Sequence, residues 1–164
     1  MIDSLEKLAE NKILLPGDAV LKKWKDDKLK IVFTNGCFDI LHIGHLSYLL
    51  KAASLGDKLI IGLNSDASVK RLKGSNRPIN LEESRALMLA SLYFVDAVII
   101  FDTDTPLQLI TQLLPNVLVK GGDYIKENIV GAKEVEENDG EVVVVKFLDE
   151  HSSTSIINKI NSGL

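Results

Sequence analysis

Apolar residues fall into short β-branched runs separated by longer stretches where they recur at helical spacing, and the two patterns alternate from residue 30 onward. Runs at 30–35, 58–63, 97–101, 117–120 and 142–147 read as strands, apolar at nearly every position and not at every second one. That pattern is required of strands buried on both faces of a parallel sheet. Between them, residues 43–54, 65–72, 81–92, 106–114, 129–138 and 153–160 read as helices. Gly56 with Asp57, Pro115 with Asn116, and Asn138-Asp139-Gly140 mark places where helices stop and strands begin. The alternation predicts a doubly wound, Rossmann-like α/β fold with a parallel sheet of about five strands. Ahead of it, 2–12 and 16–26 carry Leu5, Leu8, Val20, Leu21 and Trp24 at helical spacing. They predict a helical extension over 1–28, packed on a single domain of 29–164.

Composition narrows the picture. A chain of 164 residues, 46% hydrophobic and 26% charged, can bury one sizeable core and is short for two. The net charge of −4 argues against a protein that coats nucleic acid or anionic membrane. Cys37 is the one cysteine, the start has no apolar signal core, and no run reaches the ~18 apolar residues of a membrane span. The expectation is a soluble cytoplasmic protein without nucleic-acid or membrane partners. The most polar stretch, 70–80 (KRLKGSNRPIN), suits a mobile loop beside an active site, although composition alone favours a solvated surface loop.

Ligands in such folds bind outside the carboxyl ends of the strands, where the strand order reverses. The segments there are 36–45, 64–66, 102–105, 121–124 and 148–154. The first strand runs into Thr34-Asn35-Gly36-Cys37-Phe38-Asp39-Ile40-Leu41-His42-Ile43-Gly44-His45, with a helical pattern after it. Two histidines three apart at a helix entrance share one face of the first turn, beside unpaired amides and the positive end of the helix dipole. That is a place for a phosphate chain. Gly44 removes a side chain where a ligand would meet the helix, and Gly36 lets the strand turn sharply. The alternatives are histidines that merely cap the helix, and a metal pair, for which no H-E-x-x-H pattern or carboxylate array is present. No G-x-G-x-x-G or G-x-x-x-x-G-K-[ST] occurs, which disfavours a dehydrogenase and a P-loop ATPase. Asp102 and Asp104, in F-D-T-D-T-P, read as a helix-start cluster before Pro106, not a metal site.

The string G-C-F-D-I-L-H-I-G-H resembles the G-x-F-D-x-x-H-x-G-H signature of the cytidylyltransferase-like nucleotidyltransferase superfamily. The resemblance continues through G-L-N-S-D (62–66), R-L-K-G (71–74), Arg77-Pro78, Arg85, V-K-G-G-D-Y (119–124) and S-S-T (152–154), nearly the whole chain. Together these segments resemble most the heptose 1-phosphate adenylyltransferases, which make ADP-heptose from ATP and D-glycero-β-D-manno-heptose 1-phosphate for the lipopolysaccharide core. In many bacteria that unit is fused behind a sugar kinase. No kinase precedes it here, so the expectation is a stand-alone unit.

What the resemblance implies can be set residue by residue. His42, His45 and Lys73 would be catalytic, donating to the triphosphate and the transition-state oxygens. Asn35, Gly36, Phe38, Gly44, Arg85, Lys120, Gly121, Asp123, Ser152, Ser153 and Thr154 would bind the nucleotide. Asp39, Asp66, Arg71 and Arg77 would bind substrate less directly, although Asp39 and Asp66 could simply cap helices. Arg85 has the alternative of a surface pair with Glu82, one turn back. Relatives often carry Ser-Thr-Thr after an arginine or aromatic residue, whereas His151 precedes Ser-Ser-Thr here. Magnesium would arrive with the triphosphate and not on protein ligands, and a homodimer or larger homo-oligomer is implied. Two rivals stay open at this point: a cytidylyltransferase acting on glycerol 3-phosphate or a related alcohol phosphate, and a catalytically silent nucleotide-binding module.

Overall fold

The computed structural model describes residues 7–122, 124–146 and 152–163. Five parallel strands form one sheet: β1 (Ile31–Gly36), β2 (Lys58–Asn64), β3 (Ala97–Phe101), β4 (Val117–Gly121) and β5 (Glu141–Val145), in the order β3-β2-β1-β4-β5. The chain winds outward from β1 to β3, then returns to the other side of β1 to place β4 and β5. The strand order therefore reverses between β1 and β4, and the crevice expected of such folds opens there.

Among the described residues, 7–10 are helical, and the further helices are α1 (Ala19–Asp26), α2 (Ile43–Ala53), α3 (Asp66–Lys73), α4 (Glu82–Ala90), α5 (Leu107–Leu113), α6 (Ala132–Glu136) and α7 (Ser153–Asn161), with a 3-10 turn at Lys126–Asn128. Alternate strand residues divide the core in two. Val32, Leu59, Ile61, Leu63, Val98 and Val119 face Leu49 and Ala52 of α2 and Ala86 and Leu89 of α4. Ile31, Phe33, Ile60, Ile99 and Leu118 face Leu21 of α1, Leu109 and Ile110 of α5, and Val135 of α6. This two-sided burial is why the strands carry no polar alternation.

The predicted strands sit within a residue or two of the observed ones. The predicted helix over 129–138 is the main exception: only Ala132–Glu136 is α-helical, after Gly131 at φ 86. The segment 70–80 is not all loop, because α3 runs on to Lys73 and Gly74 ends it at φ 93. In the N-terminal extension, residues 12–14 pair with the edge of β3, Leu14 donating to the Val98 carbonyl (2.9 Å) and Val98 to that of Lys12 (2.8 Å). Leu21, 4% exposed, enters the same core as the strands.

The bottom of the sheet is fixed by side chains that accept from amides at the entrance of a strand: Asn116 from Ile31 (2.8 Å), Asp57 from Lys30 (2.7 Å) and Asp96 from Leu59 (2.9 Å). The register between β1 and β2 also depends on Gly62, where a Cβ would stand 2.7 Å from Phe33 Cζ. Gly62→Ala should therefore lower stability by about 1–3 kcal/mol as Phe33 is forced off its position, read as a lower urea midpoint with an unchanged m-value.

Candidate active site

At the carboxyl ends of β1 and β4 lies a pocket of about 270 Å³, lined by residues that include Asn35, Gly36, Phe38, His45, Lys73, Lys120 and Ser153. A larger, more apolar hollow of about 390 Å³ lies against α1 and α5, lined by Leu21, Leu109 and Leu113, and holds none of the candidate residues. The polar pocket is the one with chemistry.

Its roof is the turn from β1 into α2. Phe38 makes that turn at φ 45, a conformation bulky residues avoid, whereas Gly36 has no positive φ. The sharp bend expected at Gly36 is thus made two residues later. Gly36 instead gives room: a Cβ there would touch the Phe38 ring at 3.0 Å. The Phe38 ring lies against His45, with centroids 5.2 Å apart. His42 is the N-cap residue of α2, but its side chain makes no capping bond. The two imidazoles stack at 3.9 Å, tilted by 26°.

His45 is the electrostatic centre. Burial, then the charges of His42 and Lys73, push it down to about 4, against a small opposing pull from the Ile40 carbonyl. Its Nδ1 is buried and makes no hydrogen bond among the described residues. At neutral pH His45 is an uncharged imidazole held where a cation is costly, and an arriving triphosphate would reverse that cost. Lys120 is likewise pushed down, chiefly by burial; its Nζ donates to Asn35 Oδ1 (3.2 Å) and stands 5.8 Å from the Tyr124 ring. Below them Tyr48, buried and pushed up to about 12 chiefly by desolvation, shares a 2.5 Å hydrogen bond with Thr34 and donates to the Val119 carbonyl. Tyr48, which lies in the stretch 43–54 read from sequence only as a helix, ties β1 to β4 under the pocket.

Several predicted ligands are occupied by the protein itself. Asp39 is 1% exposed. Burial alone would raise its pKa, but the amides of Asn80 (3.0 Å) and Ile79 (2.7 Å) and Arg77 Nε (2.5 Å) hold it below the ordinary carboxylate value. Asp39, expected to contact substrate, is engaged in an internal brace, while Arg77 joins that brace through Nε and leaves Nη2 without a hydrogen bond among the described residues. Arg85 has no exposed surface. Its guanidinium donates to the carbonyls of Asn80 (2.9 Å), Cys37 (2.6 Å) and Asn64 (2.8 Å) and to Asp66 Oδ1 (2.7 Å). It cannot reach a phosphate, and Asp66 is committed to it. Glu82, the partner considered for Arg85, accepts from the Asp66 amide instead (2.6 Å). Arg71 lies outside the pocket lining and pairs with Asp104 Oδ1 at 2.7 Å, so the two aspartates read as a helix start serve another helix.

α7 completes the wall. Ser152 caps it in a capping box with Ser155, Ser153 lines the pocket and donates to the Ile40 carbonyl (3.1 Å), and Thr154 is exposed. Gly44 is buried in the first turn of α2 and Gly121 ends β4. Asp123 and His151 lie outside the described residues. Among the described residues no three of His, Cys, Asp and Glu gather as a metal site. The one described carboxylate of the pocket, Asp39, already accepts three hydrogen bonds. The described residues of the pocket do not fit a protein-held magnesium ion.

Comparison with known proteins places this geometry. The profile of the family described as Cytidylyltransferase-like matches residues 33–159. The chain is 52% identical over 158 residues to the "bifunctional protein HldE" of Rhodopseudomonas palustris, covering 94% of this chain and 32% of that one. It is 60% identical over 131 residues to the protein of the same name from Geobacter metallireducens, covering 80% of this chain and 27% of that one. The chain thus spans about a third of the length of these relatives. Among solved structures, a lipopolysaccharide core biosynthesis protein from Thermoplasma volcanium superposes with a TM-score of 0.59 at 27% identity, over 75% of this chain and 99% of that one. A pantoate-beta-alanine ligase from Francisella tularensis (TM-score 0.54, 18% identity, 92% of this chain and 78% of that one) shares the fold alone. Among the described residues no helix is long and apolar enough to cross a membrane.

Two predictions follow from this wiring. Arg85→Met should cost about 3 kcal/mol in urea unfolding, because it leaves the Asp66 carboxylate and three carbonyls without their donor. For His45, the unfolded chain binds more protons than the folded one between pH 4 and 6.5. Stability should therefore fall as pH drops through that window, and His45→Gln should remove at most about 2 kcal/mol of the difference between pH 7 and pH 5, less to the extent that solvent screens the partly exposed ring.

Proposed function

The chain belongs to the cytidylyltransferase-like family, and on that premise we propose that it is an adenylyltransferase that joins the AMP of ATP to D-glycero-β-D-manno-heptose 1-phosphate and releases pyrophosphate. The observation that carries the reading is His45 at the start of α2, stacked on His42 and lining a pocket that also receives Lys73 and Lys120. The resemblance of nearly the whole chain to heptose 1-phosphate adenylyltransferases supports the acceptor, as do the relatives at 52% and 60% identity and the printed name of the Thermoplasma protein.

The chemistry asks little of the protein beyond position and charge. An oxygen of the sugar phosphate attacks the α-phosphorus, the new P–O bond forms in line with the one that breaks, and pyrophosphate departs with the bonding electrons. The nucleophile is already anionic, so no general base is required. Charge grows on the non-bridging oxygens and on the leaving group, where the amides at the start of α2, the two imidazoles and Lys73 would meet it. Because His45 is neutral before the nucleotide arrives, it adds no charge repulsion to Lys73 in the empty pocket. Once phosphates surround it, its proton affinity rises and it becomes a stronger donor. Lys120, anchored on Asn35, would meet the nucleotide from the β4 side. Magnesium would be ligated by the triphosphate. A cytoplasmic location suits the ATP requirement and the free thiol of Cys37 in the pocket wall.

The test is pyrophosphate release by the full chain with magnesium, comparing ATP and CTP, each with heptose 1-phosphate or glycerol 3-phosphate. Release should require ATP with the heptose, and His45→Ala should lower kcat roughly 100- to 1000-fold. Release with CTP and glycerol 3-phosphate would move the assignment to a cytidylyltransferase. Tight ATP binding without release from any pair would make the chain a silent nucleotide binder.

A further inference from the structure

Lys73 reaches the pocket from the last residue of α3, and a catalytic cation at a helix end is only as well placed as that end is fixed. The start of α3 is held firmly: the Ser65 side chain caps it by accepting from the Ser68 amide (3.0 Å), and Asp66 is gripped by Arg85. Its far end has no such core contact, since Leu72 is 53% exposed and Gly74 leads straight into the loop. What reaches the far end is the segment after β3. Arg71 Nε donates to Asp104 Oδ1 (2.7 Å), and Arg71 Nη2 donates to the Asp102 carbonyl and stands 3.5 Å from Asp102 Oδ1. The same segment holds the helix elsewhere: Asp102 Oδ1 accepts from Ser65 Oγ (2.5 Å) and the Thr103 carbonyl accepts from Ser68 Oγ (3.2 Å). Residues 102–104 therefore grip α3 at its cap, its first turn and its last turn.

A single exposed ion pair contributes little. Here a guanidinium fork meets two acceptors on a segment already bound to the helix at two other points, so little further freedom is lost on forming it. We propose that Arg71 is a positioning residue for the nucleotidyl transfer, latching the last turn of α3 to residues 102–104 so that Lys73 is held toward the triphosphate. The inference rests on the role given to Lys73 under the proposed function, and it assigns Asp102 and Asp104 to the same device. Arg71 touches no substrate: its action passes through Lys73.

The decisive experiment is a mutant cycle on the full chain with Arg71→Ala, Asp104→Ala, Lys73→Ala and the double variant Arg71→Ala/Lys73→Ala. Arg71→Ala should lower kcat/KM roughly 10-fold, with kcat falling more than KM rises, and Asp104→Ala should do the same more weakly. In the Lys73→Ala background, removing Arg71 should change the rate less than about twofold, because the group it positions is gone. Arg71→Lys should recover part of the loss, as a point charge replaces the fork. An equal loss with and without Lys73, or a wild-type rate for Arg71→Ala, overturns the proposal. The NMR titration of the His45 ring gives a readout that needs no turnover, because the Lys73 charge helps to hold it low. Arg71→Ala should move that titration upward in the same sense as Lys73→Ala. If the wild-type chain releases no pyrophosphate from any pair, the adenylyltransferase reading fails on its own. A His45 titration raised by Lys73→Ala and unmoved by Arg71→Ala then overturns the latch.

Discussion

A carboxylate buried to 1% exposure must either lose its charge or be surrounded by donors, and Asp39 takes the second course. Its donors come from Arg77, Ile79 and Asn80, some forty positions further along the chain. Satisfying that one group therefore fixes the segment after the basic loop against the turn that carries the histidines. Asn80 returns the contact through its side chain, which donates to the Asp39 carbonyl (2.6 Å), and its own carbonyl accepts from Arg85. Arg85 then reaches Cys37, Asn64 and Asp66. Two buried charges thus join the carboxyl ends of β1 and β2 with the starts of α3 and α4 in one hydrogen-bonded unit, in which the carbonyls of Cys37, Asp39, Asn64 and Asn80 each have a side-chain donor.

That unit explains how the pocket tolerates its own contents. Phe38 holds a left-handed backbone conformation and His45 is kept neutral beside Lys73, and both cost free energy in the empty protein. A loop free to relax would abandon both. Braced from beneath by Asp39 and Arg85 and from the far side by Ser153 on the Ile40 carbonyl, it cannot. The energy of the brace maintains an arrangement that becomes favourable only when an anion is present, which is the general logic of a preorganised site.

Much of the architecture was legible along the chain because its signals are local. A strand covered on both faces must be apolar at consecutive positions, and a helix that opens at a strand end shows its turn, its cap and its periodicity within a dozen residues. The histidine pair was legible for the same reason, since both imidazoles lie on one helical turn. The partners of Asp39, Arg85 and Arg71 were not. Each is a charged residue whose neighbours in sequence say little, while its partners stand between 5 and 48 positions away. An arginine in E-E-S-R-A looks like a surface residue because most helical arginines are, and the count of carbonyls left open at the ends of β1 and β2 is a property of the folded sheet. Gly36 misled in the opposite direction: glycine signals conformational freedom, but here it supplies space for a neighbouring ring and leaves the strained turn to Phe38.

The charge distribution reconciles a net charge of −4 with the polyanionic substrate of the proposed reaction. Exposed charges act over only about 8 Å at physiological ionic strength, so the acidic surface as a whole is weakly felt by a nucleotide entering the crevice. Inside, the balance is local. The one described carboxylate of the pocket is neutralised by Arg77 and two amides, while Lys73 and Lys120 stand in the wall and two helices present their amino ends. Burial lowers the proton affinity of Lys120 and His45 but also removes the water that would screen them. An anion is then attracted strongly at contact and weakly beyond it. On the proposed reaction, attraction confined to contact would suit the release of an anionic product: pyrophosphate one Debye length away would no longer be drawn back.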